Sequence, residues 1–382
     1  MAGIVGTKSS LTWAVHLSLV AMVLLWLFPT AGLFVSSFRT AEQISTGGWW
    51  NALSASEQNL TLRTAAPDTQ VEQDGVFVIE GNLFGEASEA VISVWGTSSR
   101  AISDYTPGDT ATLRDGSTVT VAANGDYRMQ SDQEIEGRRG QRIFATAETP
   151  PEFTLENYHN VLFDENNREG MAKAFFNTLT VTIPATIIPI LVAAFAAYAL
   201  AWMDFPGRAL LIAAVVGLLV VPLQLALIPL LKLHNEVGIG KGYLGAWLAH
   251  TGFGLPLAIY LLRNYMVGLP RDIIENARVD GATDFQIFVK IILPLSFPAL
   301  ASFAIFQFLW TWNDLLVALV FLIDSSGETT VMTKQIVELL GTRGGNWEIL
   351  ATSAFVSIAV PLVVFFAMQK YLVRGLLAGS VK

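Results

Sequence analysis

The chain has 382 residues, of which 52% are hydrophobic and only 14% are charged, against roughly 25% charged residues in a typical soluble domain. Its mean hydropathy of +0.49 is typical of a membrane protein and argues against an ordinary soluble chain. Cysteine is absent, which excludes disulfides, thiolate nucleophiles and cysteine metal sites.

The formal net charge of -9 is unevenly distributed along the chain. Residues 40–170 hold 21 acidic and 8 basic residues, a net charge of -13, which leaves +4 for the remainder. Two different environments are therefore predicted for the two parts of the chain.

Six apolar windows follow one another along the sequence. They cover residues 11–35, 175–202, 209–231, 243–267, 295–323 and 350–372, and about 20 apolar residues are enough to cross roughly 30 Å of hydrocarbon. The first window is also compatible with a cleavable signal peptide, but its apolar run from Ala14 to Val35 exceeds the usual length. Because only Lys8 precedes that run, an uncleaved anchor is favoured.

The orientation of these spans follows from the basic residues in the short loops. In a six-span arrangement one side carries Lys8, Arg208, Arg263, Arg271, Arg278, Lys290, Lys370, Arg374 and Lys382. An excess of Lys and Arg marks the cytoplasmic side, so both termini are predicted to be cytoplasmic. Residues 40–170, which contain no lysine, are predicted to lie outside.

The segment 40–170 differs from the spans in pattern as well as in charge. The stretches "DGVFVIEGNLFG", "EAVISVWGTS" and "GSTVTVAANGDYRM" alternate strand-forming residues with turns such as Asp115-Gly116 and Asn124-Gly125. Such alternation predicts a small antiparallel sheet. The predicted organisation is a tail and first span at 1–39, a β-rich insert at 40–170 and a five-helix core at 171–382.

Two features of the sequence, a loop that resembles a phosphate-binding motif and a set of histidines, lack the residues that such ligand sites require. "NEVGIGKGY", residues 235–243, resembles a phosphate loop, but Asn235 and Gly242 stand where the motif needs glycine and Ser or Thr. Binding or hydrolysis of ATP by this chain is therefore not expected. The four histidines, His16, His159, His234 and His250, form no HExxH pair, so no metal site is predicted.

The segment 271–294 lies between the fourth and fifth spans and is both charged and regular. Ile274, Ala277, Gly281, Phe285, Phe288 and Ile292 recur at three- and four-residue spacing, which predicts one apolar face of a helix or helical hairpin. Glu275 and Arg278 are predicted to form an i,i+3 ion pair. Gly281 disfavours a helix by about 1 kcal/mol relative to alanine and indicates a bend, and Pro294 ends the segment.

Two interpretations of this segment remain open at this point. It is an interfacial helix on lipid headgroups, or a surface that docks a soluble protein. The acids Asp272, Glu275, Asp280 and Asp284 would be repelled by an anionic inner leaflet. A protein partner, bound through small residues and two projecting phenylalanines, is therefore favoured.

The motif "ENARVDGATDFQIFVKIILP" resembles the EAA loop of permease subunits in binding-protein-dependent ABC importers. Asn276 replaces the second alanine of the usual EAA. "FFNTLTVTIPAT", "TWNDLLVALVFL" and "RGLLAGSVK" extend the resemblance over residues 171–382 to the maltose-type sugar-permease branch. The insert and "PPEFTLENY" are most similar to the smaller permease of α-glucoside importers.

The resemblance implies an all-α polytopic membrane protein with six transmembrane helices of the ABC importer permease fold and a β-rich extracytoplasmic insert. It also implies a second permease, two ATPase subunits carrying ATP and Mg²⁺, a solute-binding protein and a sugar substrate in the bacterial inner membrane; no nucleic acid is expected. Coupling to the ATPase is expected at Glu275, Ala277, Asp280, Gly281, Ala282, Phe285, Phe288, Leu293 and Pro294.

The fifth span contains the residues considered for a substrate pathway: Trp310, Trp312, Asn313 and Asp314. An ionisable residue inside a span usually faces protein or water, and aromatic rings beside amides and carboxylates suit sugars. Pairing of Asp314 with a neighbouring helix is the alternative, and Asn177 and Gln224 are equally ambiguous. At the level of the whole chain, a membrane-anchored receptor whose insert senses a ligand is the alternative to a permease.

Overall fold

The computed structural model of this protein describes residues 10–85, 89–163, 171–323, 327–342 and 346–377. Lys8, Lys382, the end of the predicted insert at 164–170 and the last five residues of the terminal motif lie outside the described residues. The chain divides into two compact units, Met1–Asn157 with Asn346–Thr352 and Tyr158–Gly345 with Ser353–Lys382. The boundaries predicted at residues 39 and 170 stay a prediction.

The first unit contains a long apolar helix followed by a β-rich region. Its helices are α1 (Ser10–Ser36) and α2 (Ala41–Thr46). Its strands are β1 (Ser56–Arg63), β2 (Val71–Gln73), β3 (Val76–Asn82), β4 (Val91–Gly96), β5 (Thr110–Thr112), β6 (Thr118–Val121), β7 (Asp126–Ser131) and β8 (Arg142–Thr149). They form two antiparallel sheets, ordered β1-β8-β4 and β2-β3-β7-β6-β5.

The two sheets share one hydrophobic core. Alternate residues of β8, Ile143, Ala145 and Ala147, are fully buried, as expected when one face of a strand meets the core. Trp95 of β4 is fully buried too, and its indole N–H donates to the Thr106 carbonyl at 3.1 Å. The predicted antiparallel β structure is therefore confirmed, although it comprises two sheets rather than one.

Both predicted turns are present. Gly116 and Gly125 have φ angles of +84° and +86°, a conformation that glycine adopts without steric cost. The turn at Gly125 joins β6 to β7, and the Asn82 and Asn124 amides beside it donate to the Asp126 carboxylate. These hydrogen bonds hold the pKa of Asp126 below its usual value.

The ends of the β-rich region are tied together at the end of α1. The Thr154 amide donates to the Phe38 carbonyl at 2.7 Å, and the Asn157 side chain donates to the carbonyls of Ser37 and Arg39. The Thr352 hydroxyl donates to the same Ser37 carbonyl at 3.2 Å. The residues that enter and leave the sheets therefore form one hydrogen-bonded junction.

The second unit is helical. Its helices are α3 (Glu156–Leu162), α4 (Met171–Trp202), α5 (Arg208–Leu218), α6 (Leu223–Glu236), α7 (Tyr243–Val267), α8 (Arg271–Val279), α9 (Asp284–Ile287), α10 (Leu293–Leu295), α11 (Phe297–Trp312), α12 (Leu316–Phe321), α13 (Met332–Thr342) and α14 (Trp347–Leu377). A π-helical turn, Phe288–Ile292, joins α9 to α10. Helices α3 and α14 each begin within the residues of the first unit.

Among the described residues, four helices are long and apolar enough to cross a membrane: Leu11–Ser36, Met171–Trp202, Tyr243–Val267 and Trp347–Tyr371. Two bent pairs raise the number to six if each counts as one span. The third predicted span, 209–231, corresponds to one of these bent pairs, because the chain bends by 111° between α5 and α6, where Pro222 caps α6. The predicted fifth span, 295–323, is interrupted between Trp312 and Leu316.

Helices α4 and α7 pack through small side chains. Ala193, Ala197 and Ala258 are completely buried in the core of this unit. Small residues at helix contacts let backbones approach closely, which is the usual way in which membrane helices associate. The same reasoning applies to Gly254 of α7, which faces Gln307 of α11.

We expect Gly254→Ala to destabilise this helix contact by about 1–3 kcal/mol. The new Cβ would lie 2.6 Å from the Gln307 amide oxygen, and displacing that amide would break its bonds to the carbonyls of Ala185 and His250. The check is the midpoint of detergent-induced unfolding. Gly252→Ala is the matched control, because its Cβ would meet nothing within 4 Å; equal midpoints for the two variants would contradict the prediction.

Candidate functional site

The 271–294 segment lies at one end of α4, where it contacts Tyr198 and Trp202. Helix α8 turns Ile274, which is 1% exposed, and half-buried Ala277 onto the core formed by α4 and α7. Its opposite face exposes Asp272 and Glu275. The predicted amphipathic character is therefore confirmed for the first half of the segment.

The sequence Asp280-Gly281-Ala282 ends α8 with a Schellman motif. Gly281 has a φ of +82°, its amide donates to the Arg278 carbonyl, and the Ala282 amide donates to the Ala277 carbonyl, both at 3.0 Å. These are the two bonds that close this type of helix end, with glycine in the left-handed conformation. The bend predicted at Gly281 is confirmed. Ala277 and Ala282 are the two residues joined by the outer hydrogen bond of this motif.

A second helix starts directly after this bend. Thr283 and Gln286 form a capping box, in which the Thr283 hydroxyl accepts from the Gln286 amide and the Gln286 side chain accepts from the Thr283 amide. The sequence signal for this helix start is Thr-x-x-Gln, which the spacing of apolar residues does not include. One helix therefore ends just before Gly281 and another begins just after it. The three- and four-residue spacing of apolar residues does not continue across Gly281.

An ion pair and two hydrogen bonds fix the segment to the end of α4. Arg278 Nη2 lies 3.2 Å from Asp284 Oδ1 and donates to the Trp202 carbonyl at 3.3 Å. The Tyr198 hydroxyl donates to the same carboxylate oxygen at 3.2 Å. The predicted pairing of Arg278 with Glu275 is wrong, because the bend brings Asp284 to Arg278. Among the described residues the Glu275 side chain makes no ion pair or hydrogen bond.

The two phenylalanines of the segment have different environments. Phe285 is 66% exposed, whereas Phe288 is 3% exposed and packs on Phe195 and Tyr198 with ring centroids 4.7 and 5.3 Å away. The prediction that both rings project outwards is therefore wrong for Phe288. The prediction fails because α8 ends just before Gly281 and a new helix begins after it. Residues spaced from Ile274 at helical intervals therefore do not lie on the same helix face beyond Gly281.

The exposed side chains of the 271–294 segment include three carboxylates that make no ion pair among the described residues and two apolar groups that are more than 60% exposed. The acids are Asp272, Glu275 and Asp280, and the apolar residues are Phe285 and Val279, which is 87% exposed. Val279 was not singled out from the sequence, since it lies off the predicted apolar face. Leu293 and Pro294 follow the π-helical turn in α10 and lead into α11 through a 70° bend.

The four residues considered for a substrate pathway do not all line one site, although Trp312 and Asp314 line the same small cavity in the part of the chain that the structure describes. Trp310 lines an apolar cavity of about 600 Å³ beside the bend between α5 and α6. Trp312 is 1% exposed, and its indole N–H donates to the Ser357 carbonyl at 2.9 Å. The Asn313 amide donates to the Leu309 carbonyl at 2.8 Å.

Asp314 explains the interruption of the predicted fifth span. Its carboxylate accepts from the Val317 amide at 2.8 Å and so caps the start of α12. His250 Nε2 of α7 lies 3.9 Å from the same oxygen. A cavity of about 10 Å³, lined also by Thr178 and Thr311, is close to the minimum for one water molecule. Asp314 therefore meets a neighbouring helix, the alternative left open above.

Asn177 has a role at the opposite end of α4 from the 271–294 segment. Its amide donates to the carbonyls of Glu328 and Thr330, and its oxygen accepts from the Tyr243 hydroxyl at 2.8 Å. Lys173 pairs with Glu328 one turn away. Asn177 thus fixes the residues before α13, while Gln224 lies exposed in the first turn of α6.

These helices, which are long and apolar enough to cross a bilayer, and the structured segment at their ends define a polytopic helical membrane protein. Residues 171–377, more than half of the chain, match the family described as "Binding-protein-dependent transport system inner membrane component". The chain belongs to this family. It has the family's helical permease fold, preceded by a β-rich region.

Individual relatives cover different shares of the chain. It is 63% identical over 380 residues to the alpha-glucoside transport system permease protein AglG of Rhizobium meliloti (strain 1021), covering 98% of both chains. It is 57% identical to the osmoprotective compounds uptake permease protein GgtD of Synechocystis, over 60% of this chain and 76% of that one. Among solved structures, it is similar to a bacterial ABC transporter involved in the import of the acidic polysaccharide alginate, with a TM-score of 0.48 and 22% identity over 59% of this chain and 81% of that chain.

Proposed function

We propose that this chain is a permease subunit of an ATP-driven importer for α-glucosides. The observation that carries the proposal is the 63% identity to an α-glucoside transport permease along almost the whole chain, insert included. A ligand-sensing membrane receptor is not favoured, because the family match spans the helical unit from residue 171 to residue 377. Membership of a binding-protein-dependent family also supports a separate solute-binding protein as a partner.

The partner ATPase would bind the exposed face of the 271–294 segment. In this assignment ATP and Mg²⁺ belong to two ATPase subunits, and a second permease completes the pathway. Glu275 and Asp280 would meet the ATPase with polar contacts, and Phe285 would supply the apolar anchor, as the exposure of all three supports. The segment would be held on the membrane helices by Phe288, Ala277 and Ala282, which pack in the helical core.

The proposed orientation places the 271–294 segment in the cytoplasm of a bacterial cell and the chain in the inner membrane. Arg271, Arg278 and Lys290 lie in this segment, as the positive-inside rule requires. Both termini would then be cytoplasmic, and the β-rich region would be extracytoplasmic. A cysteine introduced at Leu53, which is 83% exposed, should react with an impermeant reagent from the outside only; labelling from the cytoplasmic side alone would overturn this topology.

Glu275→Gln tests the docking role directly. The charge is lost from an exposed side chain that has no partner among the described residues, so folding should not change. If Glu275 makes a charge-assisted contact with the ATPase, its loss weakens association by about 1.5–3 kcal/mol, or roughly ten- to a hundredfold. Co-purification of the ATPase and α-glucoside uptake measure both effects.

Glu236→Gln is the matched control, since Glu236 is an exposed carboxylate at the end of α6. It should leave association and uptake unchanged. Normal association and uptake in Glu275→Gln, at equal membrane levels, would show that Glu275 is not part of the docking surface.

A further inference from the structure

An apolar groove lies between α4, α11 and α14 near the 271–294 segment. Its volume is about 480 Å³, and every side chain that lines it is apolar. The lining includes Ile190, Leu191, Pro294, Phe297, Ala304 and Met368. Because α4 and α14 are long and apolar enough to cross a membrane, the natural surroundings of this groove are hydrocarbon rather than water.

The size of the groove limits what can occupy it. A helix with its side chains is about 10 Å across, so about one helical turn would fill this volume. A transmembrane helix must extend over roughly 30 Å. A transmembrane helix would therefore contact the groove over about one turn only, whereas one flexible hydrocarbon chain can lie along it.

Positive charge is concentrated at the end of the groove nearest to the 271–294 segment. Lys290 is exposed one helical turn before Pro294. Lys370 Nζ lies 4.8 Å from the centre of the Tyr371 ring, and that ring packs edge-on against Phe297 at 5.3 Å. Lys290 is thus four residues from one lining residue, Pro294, and Lys370 is connected through Tyr371 to another, Phe297.

We propose that this groove binds an anionic phospholipid, with one acyl chain along the groove and the phosphate at Lys290 and Lys370. An apolar cleft between membrane helices with basic residues at its cytoplasmic end is the chemistry that retains anionic lipid headgroups. The site adjoins Leu293 and Pro294, so the bound lipid contacts the last residues of the 271–294 segment. Binding itself is independent of the sugar transported.

The test is native mass spectrometry of the full chain released from nanodiscs that contain equal amounts of phosphatidylglycerol and phosphatidylcholine. We expect one phosphatidylglycerol molecule to be retained in preference to phosphatidylcholine. Lys290→Gln combined with Lys370→Gln should reduce that preference at least fivefold, since one lysine near the membrane surface contributes about fivefold to binding of anionic lipid. Both lysines are exposed, so this variant should fold.

Ala304→Phe fills the groove and should reduce retention of both lipids. Ala367→Phe, at an exposed position of α14 that does not line the groove, and Lys232→Gln, at an exposed position in α6, are the matched controls. Equal retention of the two lipids by the wild-type protein, or full preference in the double lysine variant, would overturn the proposal. Loss of the bound lipid from the assembled importer would also overturn it, because the groove would then be a contact between subunits.

Discussion

Gly281→Val is expected to reduce α-glucoside uptake at least tenfold while leaving the protein in the membrane at normal levels. A Cβ at Gly281 would meet nothing within 4 Å, so the substitution creates no clash. Its effect comes from the φ of +82°, which costs a non-glycine residue about 1–2 kcal/mol and is most unfavourable for a β-branched side chain. The Schellman turn would therefore give way to another conformation, and α8 and α9 would no longer present one docking surface.

Two controls separate this effect from a general defect. Gly238→Val meets the same conditions, a φ of +81° and open space, in the loop after α6, and should affect uptake little. Gly281→Asn should retain most uptake, because asparagine tolerates the left-handed conformation. Uptake in Gly281→Val that matches wild type would mean that the turn has no part in transport.

Substitution of the two phenylalanines of the 271–294 segment should have different effects, one on protein stability and the other on binding of the ATPase. Phe288→Ala is expected to lower the free energy of unfolding by about 3–5 kcal/mol, the usual cost of removing a buried aromatic ring. The loss follows from its 3% exposure and its contacts with Phe195 and Tyr198. Detergent-induced unfolding followed by circular dichroism measures this change.

Phe285→Ala removes a ring of the same size that is 66% exposed, so it is the matched partner of Phe288→Ala. It should leave the unfolding midpoint unchanged and weaken association with the ATPase, measured by co-purification. The opposite pattern, a destabilised Phe285→Ala and a stable Phe288→Ala, is incompatible with a buried Phe288 and an exposed Phe285.

Local patterns in the sequence predicted most of the elements, because the residues that determine them lie close together in the chain. Asn124-Gly125 predicts a turn and forms one, and the apolar windows contain the long helices. The bend at Gly281 was equally predictable, since glycine is the residue that ends a helix in the left-handed conformation.

Two predictions that differ from the structure, those of the fifth span and of the Arg278 ion pair, fail at single residues that interrupt a sequence pattern. The fifth window remains apolar across Asn313 and Asp314, so hydropathy gives no sign that their side chains satisfy backbone groups and end one helix before another begins. The pairing of Arg278 with Asp284 depends on the chain reversing at Gly281, which a count of residues along one continuous helix cannot include.

The candidate site was predicted as a segment but not as a surface. Helical spacing predicted that Phe285 and Phe288 lie on the same exposed face. In the structure Phe285 is exposed and Phe288 is buried, and Val279 is a further exposed apolar residue. For the substrate pathway, residue type was insufficient, because Trp312 donates to a backbone carbonyl of α14 and Asn177 donates to backbone carbonyls in the loop before α13. Only tertiary packing decides which polar side chain within a span remains free.

The π-helical turn at Phe288–Ile292 determines which changes this region can accept during evolution. A π-helical turn holds one residue more than an α-helical turn, so deleting one residue within Phe288–Ile292 would give a regular α-helix and rotate α9 little relative to α11. Because an α-helix advances by about 100° per residue, deleting one residue from α9 instead would rotate the exposed acids before it by about that angle relative to the buried ring of Phe288. Homologous chains should therefore vary in length within Phe288–Ile292 more readily than between Gly281 and Ile287.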